Sequence, residues 1–378
     1  MKMKKGKRNY TKRKVKKNNS VDIIILFSIF FFIILFSFLI SVSKREKYEP
    51  VISIKDDNAV PLPKEEVIEI TTAGDCTLGA DTNFGYSGQF DWWFKNKAKG
   101  DYGYFFEKVK YLFENDDYSY VNLEGTLTKY NKKTKKKYNF KGDPSYVNIL
   151  LQGNIEGVNI ANNHSNDYGT QGYNDTRKYL TEANIDYFGH DYVLIKEIKN
   201  KKIAFVGYTS VGLWTNNNKQ ISSTIKKLKE EDGVDIVIAN FHWGIEYSHS
   251  VTKEQRNKAH LAIDSGADIV IGSHPHCLQG MEEYKGKYIV YSLGNFVFGG
   301  NSSPKQIGRE CLIVKMFISY TNDELTGIKI KLIPCSISSI SSRNNYQPIV
   351  VNEKEKTRML NIVNKYSINY KYIESEEE

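Results

Sequence analysis

Ala267-Asp268-Ile269-Val270-Ile271-Gly272-Ser273-His274-Pro275-His276 is the stretch on which the reading of this chain turns. Its first five residues form a short apolar run suited to a buried strand. A glycine follows, and then two imidazoles one residue apart. In open α/β sheets the C-terminal strand edge is where ligands bind, so a metal site is the first hypothesis for His274 and His276. An extended backbone would instead throw the two rings to opposite sides and leave them ordinary loop histidines. Their company argues against that: the chain has seven histidines, and four of them, His164, His242, His274 and His276, follow strand-like runs.

Strand-like runs at residues 67–72, 118–122, 157–161, 203–208, 234–241, 269–272 and 288–293 alternate with helix-like ones, which predicts an α/β layered domain. Phe105, Val109, Leu112 and Phe113 recur at helical spacing, as do Thr176, Tyr179, Leu180 and Ala183. Residues 311–320 and 328–333 flank Thr321-Asn322-Asp323 and predict an antiparallel hairpin. Met359, Leu360, Ile362, Val363 and Tyr366 make a helical stripe before an acidic end. The domain is expected over residues 67–340, with the C-terminal helix and tail at 341–378.

Residues 23–43 are an uncharged, almost wholly apolar run of the length that crosses a bilayer as one helix. Residues 1–21 hold ten Lys or Arg and no acid, a bias that puts the N-terminus in the cytoplasm and the rest outside. The expected plan is a basic cytoplasmic tail (1–22), a single signal-anchor at the cell membrane (23–43), a charged linker (44–66) and an extracellular domain. The formal charge of +9 therefore resides in the tail, where membrane lipid is its partner. The remainder is close to neutral, and nucleic acid is not an expected partner. Four scattered cysteines, Cys76, Cys277, Cys311 and Cys335, make no disulfide framework. Residues 129–141 carry seven lysines and read as a solvated loop that an anionic polymer could touch.

The strand ends supply the chemistry. Asp75 follows Gly74 at the first, and Glu124 precedes Gly125 at the second. At the third, Asn162-Asn163-His164 with Asp167 packs amides, an imidazole and a carboxylate into one turn. His242 stands at the fourth, and His274 and His276 at the fifth. Idle polar groups capping buried strands are costly. Together Asp75, Glu124, Asn163, His242, His274 and His276 form a mixed oxygen and nitrogen set that suits two divalent ions of Mn, Fe or Zn. A dinuclear hydrolytic centre is expected.

These motifs, with Tyr291-Ser292-Leu293-Gly294-Asn295-Phe296, make the chain resemble the CapA family of polyglutamate capsule proteins, within the calcineurin-like metallophosphoesterase superfamily. The resemblance implies a four-layer α/β/β/α sandwich with metals at the strand ends. It implies Glu124 as a bridging ligand, Asp75 and His276 on one metal, and Asn163, His242 and His274 on the other. His164 would contact phosphate or protonate the leaving oxygen, with Asp167 orienting its ring. Capsule synthase subunits in the membrane, and an anionic polymer such as poly-γ-glutamate or a phosphoester, would be its partners. The superfamily begins Asp-x-His where this chain has Asp75-Cys76-Thr77, so one ligand is missing. Three readings follow: a metallohydrolase of envelope or capsule synthesis, a non-catalytic capsule assembly factor, and a structural protein that binds no metal.

Overall fold

The computed structural model describes residues 63–374; the expected tail, membrane anchor and most of the linker lie outside them. In chain order the principal strands are β1 (Glu65–Thr77), β2 (Tyr118–Leu123), β3 (Gly157–Asn159), β4 (Asp186–Phe188), β5 (Leu194–Ile198), β6 (Lys201–Thr209) and β7 (Ile236–His242). They continue with β8 (Ile269–Ser273), β9 (Met281–Tyr284), β10 (Lys287–Val290), β11 (Asn295–Phe298), β12 (Glu310–Thr321), β13 (Glu324–Ser336) and β14 (Ile349–Val350). The helices are α1 (Phe90–Asn96), α2 (Val147–Gln152), α3 (Gly169–Glu182), α4 (Asn218–Glu230), α5 (Lys253–Asp264) and α6 (Glu353–Tyr366).

Two large sheets result. One runs β14-β13-β12-β1-β2-β3-β4, with β11 beside β1; the other runs β9-β10-β8-β7-β6-β5. Strands β1, β2, β3 and β4 are mutually parallel, as are β6, β7, β8 and β10. Strand alternation sorts their side chains. Ile203, Phe205, Ile236, Ile238, Ile269 and Ile271 pack in one apolar cluster with Ile68, Ile70, Tyr118 and Tyr120 of the first sheet. Their neighbours Val206, Val237, Ala239 and Val270 point the other way, into a cluster with Ile221, Ile225 and Leu228 of α4 and Ala259 and Ala262 of α5. The outer side of the first sheet, through Val121 and Val158, is covered by α1, α2 and α3. The protein is thus a mixed α/β fold in which two sheets face each other and carry helices outside. Each fully buried Ile contributes about 2 kcal/mol of transfer free energy, so the doubly covered sheets hold the strand ends firmly.

The two helices that cover the outer side of the second sheet, α4 and α5, are set by their first turns. Asn217 and Gln220 form a capping box on α4, and Thr252 and Gln255 form one on α5, satisfying backbone donors that a helix start leaves unpaired. The segment expected as a helix from Phe105 to Phe113 is instead two 3-10 turns, Gly103–Phe105 and Lys110–Leu112. Neither turn has a side-chain cap, and Asp101 accepts from the Gly103 amide instead. The buried rings of Phe105, Phe106 and Phe113 are held by tertiary packing. The hairpin forms as β12 and β13, turning at Asn322 and Asp323, both in the left-handed region. All four cysteines are free and buried.

Candidate metal centre

The C-terminal ends of β1, β2, β3, β7 and β8 meet at one place. Asp75 does not follow β1, as the sequence led us to expect, but lies within it, just after an irregularity in the pairing with β2 between Ala73 and Asp75. Such an irregularity re-aims a side chain. Gly74 permits it: a Cβ there would lie 2.0 Å from the Gly294 carbonyl oxygen, and the Asp75 amide donates to that oxygen at 3.0 Å.

The loop after β8 answers the question of the two rings. His274 has φ 96° and His276 φ 53°, left-handed values that cost a non-glycine residue of order 1–3 kcal/mol each and persist where surroundings impose them. The backbone therefore curls rather than extends, and the two rings lie 5.7 Å apart. Gly272 makes room beneath, because a Cβ there would come within 2.0 Å of the Tyr291 carbonyl oxygen.

Four candidate ligand atoms converge. His242 Nε2 lies 2.8 Å from Asn163 Oδ1, 3.2 Å from His274 Nδ1 and 3.5 Å from Glu124 Oε1. Donors about 2.1 Å from one cation stand about 3 to 3.5 Å from each other, so these spacings fit a shared ion. Glu124, His274 and His276 also form a group whose ligand atoms lie within 4.8 Å of one another. On the far side, Asp75 Oδ2 is 3.1 Å from His276 Nδ1, while Asp75 Oδ1 accepts from Asn122 Nδ2 at 2.7 Å. His276 Nε2 is 3.8 Å from Glu124 Oε1.

Glu124 tests whether these residues fit a metal. It is fully buried, and neither carboxylate oxygen has a hydrogen-bond partner. Burial pushes its pKa up to about 7, although His276 opposes the shift. A buried carboxylate without donors is expensive unless it coordinates a cation. Burial likewise holds His242 down, to about 3, and His274 well below its ordinary value; both are neutral imidazoles, the form that ligates metals. For His276 burial acts downward too, but the Glu124 and Asp75 carboxylates win and raise it to about 10. The donor set fits divalent cations.

His164 borders the same space. Its Nε2 is 3.8 Å from Glu124 Oε1, and its Nδ1 is 2.7 Å from Asp167 Oδ2. Asp167 is fully buried and its other oxygen takes Lys136 Nζ at 2.6 Å. Lys136 therefore does not belong to a freely solvated loop; neither does Lys133, which pairs with buried Asp81 at 2.6 Å. Buried carboxylates left alone would be costly, and the ribbon docks to neutralise them.

Sequence reasoning missed Asn122, Asn295 and Lys136. Asn122 links Asp75 to His242, 3.2 Å from Nδ1, and Asn295 Oδ1 sits 2.9 Å from His276 Nδ1. A Gly294-Asn295 pair at a further strand edge is the signal that could have found the second. Thr77 stands two residues after Asp75, where the resemblance led us to look for a histidine; its hydroxyl is buried and has no partner among the described residues.

The fold and this centre define an α/β protein with a buried carboxylate and imidazole site suited to metal. Residues 69–300 match the family described as bacterial capsule synthesis protein PGA_cap, and the chain belongs to that family. It is similar to the PGA biosynthesis protein CapA of Bacillus subtilis, 35% identical over 215 residues, which are 51% of this chain and 56% of that protein. The capsule biosynthesis protein CapA of Bacillus anthracis is 31% identical over 220 residues, 52% of this chain and 54% of that one. This chain thus spans about half the length of these relatives. Among solved structures, the sulfate thiohydrolase SoxB of Thermus thermophilus aligns with a TM-score of 0.39 and 12% identity, covering 73% of this chain and 58% of that one.

Proposed function

We propose that this chain is a membrane-anchored, externally facing protein of polyglutamate capsule or envelope polymer synthesis, whose domain hydrolyses a phosphoester with two divalent ions of Mn, Fe or Zn. The names of the Bacillus relatives support the pathway. The single observation that carries the hydrolase reading is Glu124, a buried carboxylate without a donor where imidazoles and an amide oxygen converge. Glu124 would be shared between the ions, with Asn163, His242 and His274 serving one and Asp75 and His276 the other.

When bound, such ions polarise a phosphoryl oxygen and acidify water. The chain's own groups do the rest. Asp167, fixed by Lys136, holds His164 Nδ1, so that Nε2 faces the centre and protonates the departing oxygen. Asn295 Oδ1 accepts at His276 Nδ1, as the outer partner of a metal ligand does, and Asn122 Nδ2, which donates to Asp75, also faces His242 Nδ1. Residues 23–43 anchor the chain beside membrane lipid and the capsule synthase subunits, and the basic tail keeps the N-terminus cytoplasmic. The exposed lysines at 132, 135 and 137 receive the anionic polymer.

A second reading, a non-catalytic assembly factor, draws on Thr77 standing where a ligand would be. Metal analysis of the purified full chain separates these readings from a metal-free structural role: two equivalents of Mn, Fe or Zn are expected. The metal-loaded chain should cleave phosphoesters, and His164→Ala should abolish both cleavage and capsule production. Capsule made normally by His164→Ala would sink the hydrolase.

A further inference from the structure

A cleft of ≈ 400 Å³ opens onto the centre, with His164 and His276 at its inner end. Its walls are rings: Phe84, Tyr138, Phe140, Tyr247 and Phe298. Phe140 lies 4.3 Å from the His164 ring and Phe298 5.0 Å from His276, so these walls begin at the reacting groups. Phe84, Tyr138 and Tyr247 remain 36%, 37% and 43% exposed. Rings left open in a concave site are the usual mark of a bound apolar or ring-shaped group.

The polar groups beside them are uncharged, the amides of Gln89 and Asn301 and the hydroxyl of Ser302. Glu246 brings the one carboxylate to the lining, and among the described residues none that lines the cleft is Lys or Arg. The carboxylate is exposed and has no ion pair among the described residues. Of the lysines nearby, Lys136 is engaged with Asp167 and Lys133 with Asp81, while exposed Lys137 rests its ammonium 4.9 Å over the Tyr138 ring, outside the lining.

We infer that this cleft binds a neutral six-membered ring, sugar or aryl, esterified to the phosphate at the centre, and that Glu246 turns away carboxylate-bearing groups. The inference rests on the phosphoesterase reading for the position of the phosphate. A glutamate polymer entering here would set its carboxylates against Glu246 along walls that no Lys or Arg lines, whereas a ring stacks on the walls and hydrogen-bonds to the amides. The polyanion is therefore not the group held next to the scissile bond.

Isothermal titration of the Mn-loaded full chain in detergent tests this with methyl-, phenyl-, glucosyl- and 4-carboxyphenylphosphonate. Phenyl- or glucosylphosphonate should bind about tenfold more tightly than the methyl and carboxyphenyl compounds, a difference of about 1.4 kcal/mol; which of the two leads separates aryl from sugar. Glu246→Gln should recover at least about threefold for the carboxyphenyl compound, and Glu246→Lys should favour it. Equal affinities for phenyl and carboxyphenyl compounds, or no response to either variant, overturn the inference. If affinities follow the predicted order but the corresponding phosphate esters are not cleaved, the hydrolase fails and the cleft assignment stands. Cleavage without that order has the opposite meaning.

Discussion

Glu124→Gln should make the metal-free protein more stable and the metal-loaded protein less so. The carboxylate is buried without a hydrogen-bond donor, and burial lifts its pKa from an ordinary 4.5 to about 7. At low pH both folded and unfolded chains carry the proton. Between about pH 4.5 and 7 the unfolded chain releases it while the fold retains it, so the unfolded state binds fewer protons and stability falls as pH rises. Above pH 7 the full cost is present, roughly 3 kcal/mol at 1.36 kcal/mol per unit.

Glutamine keeps the shape and never ionises. Urea unfolding of EDTA-treated protein at pH 5 and pH 8 should show the parent losing up to roughly 3 kcal/mol between the two from this group, and the variant losing correspondingly less. With Mn added at 100 times Kd, a bound ion gives the parent about 2.7 kcal/mol, and the variant should gain little. A variant that is the weaker of the two without metal at pH 8, or that gains as much from Mn as the parent, would refute the reasoning.

Other substitutions test the supports of the centre. Asp167→Ala leaves Lys136 facing no carboxylate and the Phe140 amide without its acceptor, and should cost about 3 kcal/mol in urea unfolding. Asp167→Asn should cost less stability but, by freeing the His164 ring, should lower kcat for phosphoester cleavage at least about tenfold with KM little changed; an unchanged kcat would dismiss Asp167 as a positioning residue. Gly272→Ala puts a methyl 2.0 Å from the Tyr291 carbonyl oxygen and should cost at least about 3 kcal/mol, read as a fall in Tm or loss of soluble protein.

The strand ends were legible because their signal is local. An apolar run tipped by Asp, Glu, Asn or His reads as a buried strand with chemistry at its end, and Glu124, Asn163, His242 and His274 do lie together. What escaped depends on contacts distant in sequence. The irregularity at Gly74 exists because β11, more than two hundred residues later, pairs alongside β1. Lysines at 133 and 136 look solvated until folding brings Asp81 and Asp167 beneath them. The 3-10 turns after Tyr102 carry a helical spacing because their rings must all reach one core, a demand that packing meets without a helix. Histidines 274 and 276 looked divergent only for as long as their backbone was taken as extended.

The centre is unequal in its two halves, and that inequality can be measured. Around His242 four donors converge within 3.5 Å. Around His276 the groups are already occupied by one another: Asp75 faces His276 and Asn122, His276 faces Asn295, and Thr77 offers a buried hydroxyl where an imidazole would be a far better ligand. A lost outer partner of a metal ligand costs about 10–100-fold in affinity, and a lost ligand costs no less. Titration of the metal-free chain with Mn should therefore show a first equivalent bound at least about tenfold more tightly than a second. Thr77→His should narrow that gap by tightening the second equivalent, even though crowding a buried site costs about 1–3 kcal/mol of stability. Thr77→Val, similar in volume and without a donor, should leave the second equivalent as weak as before or weaker. Two equivalents of equal affinity in the parent, or a gap that Thr77→His does not change, would mean that the missing histidine is not what distinguishes the two positions.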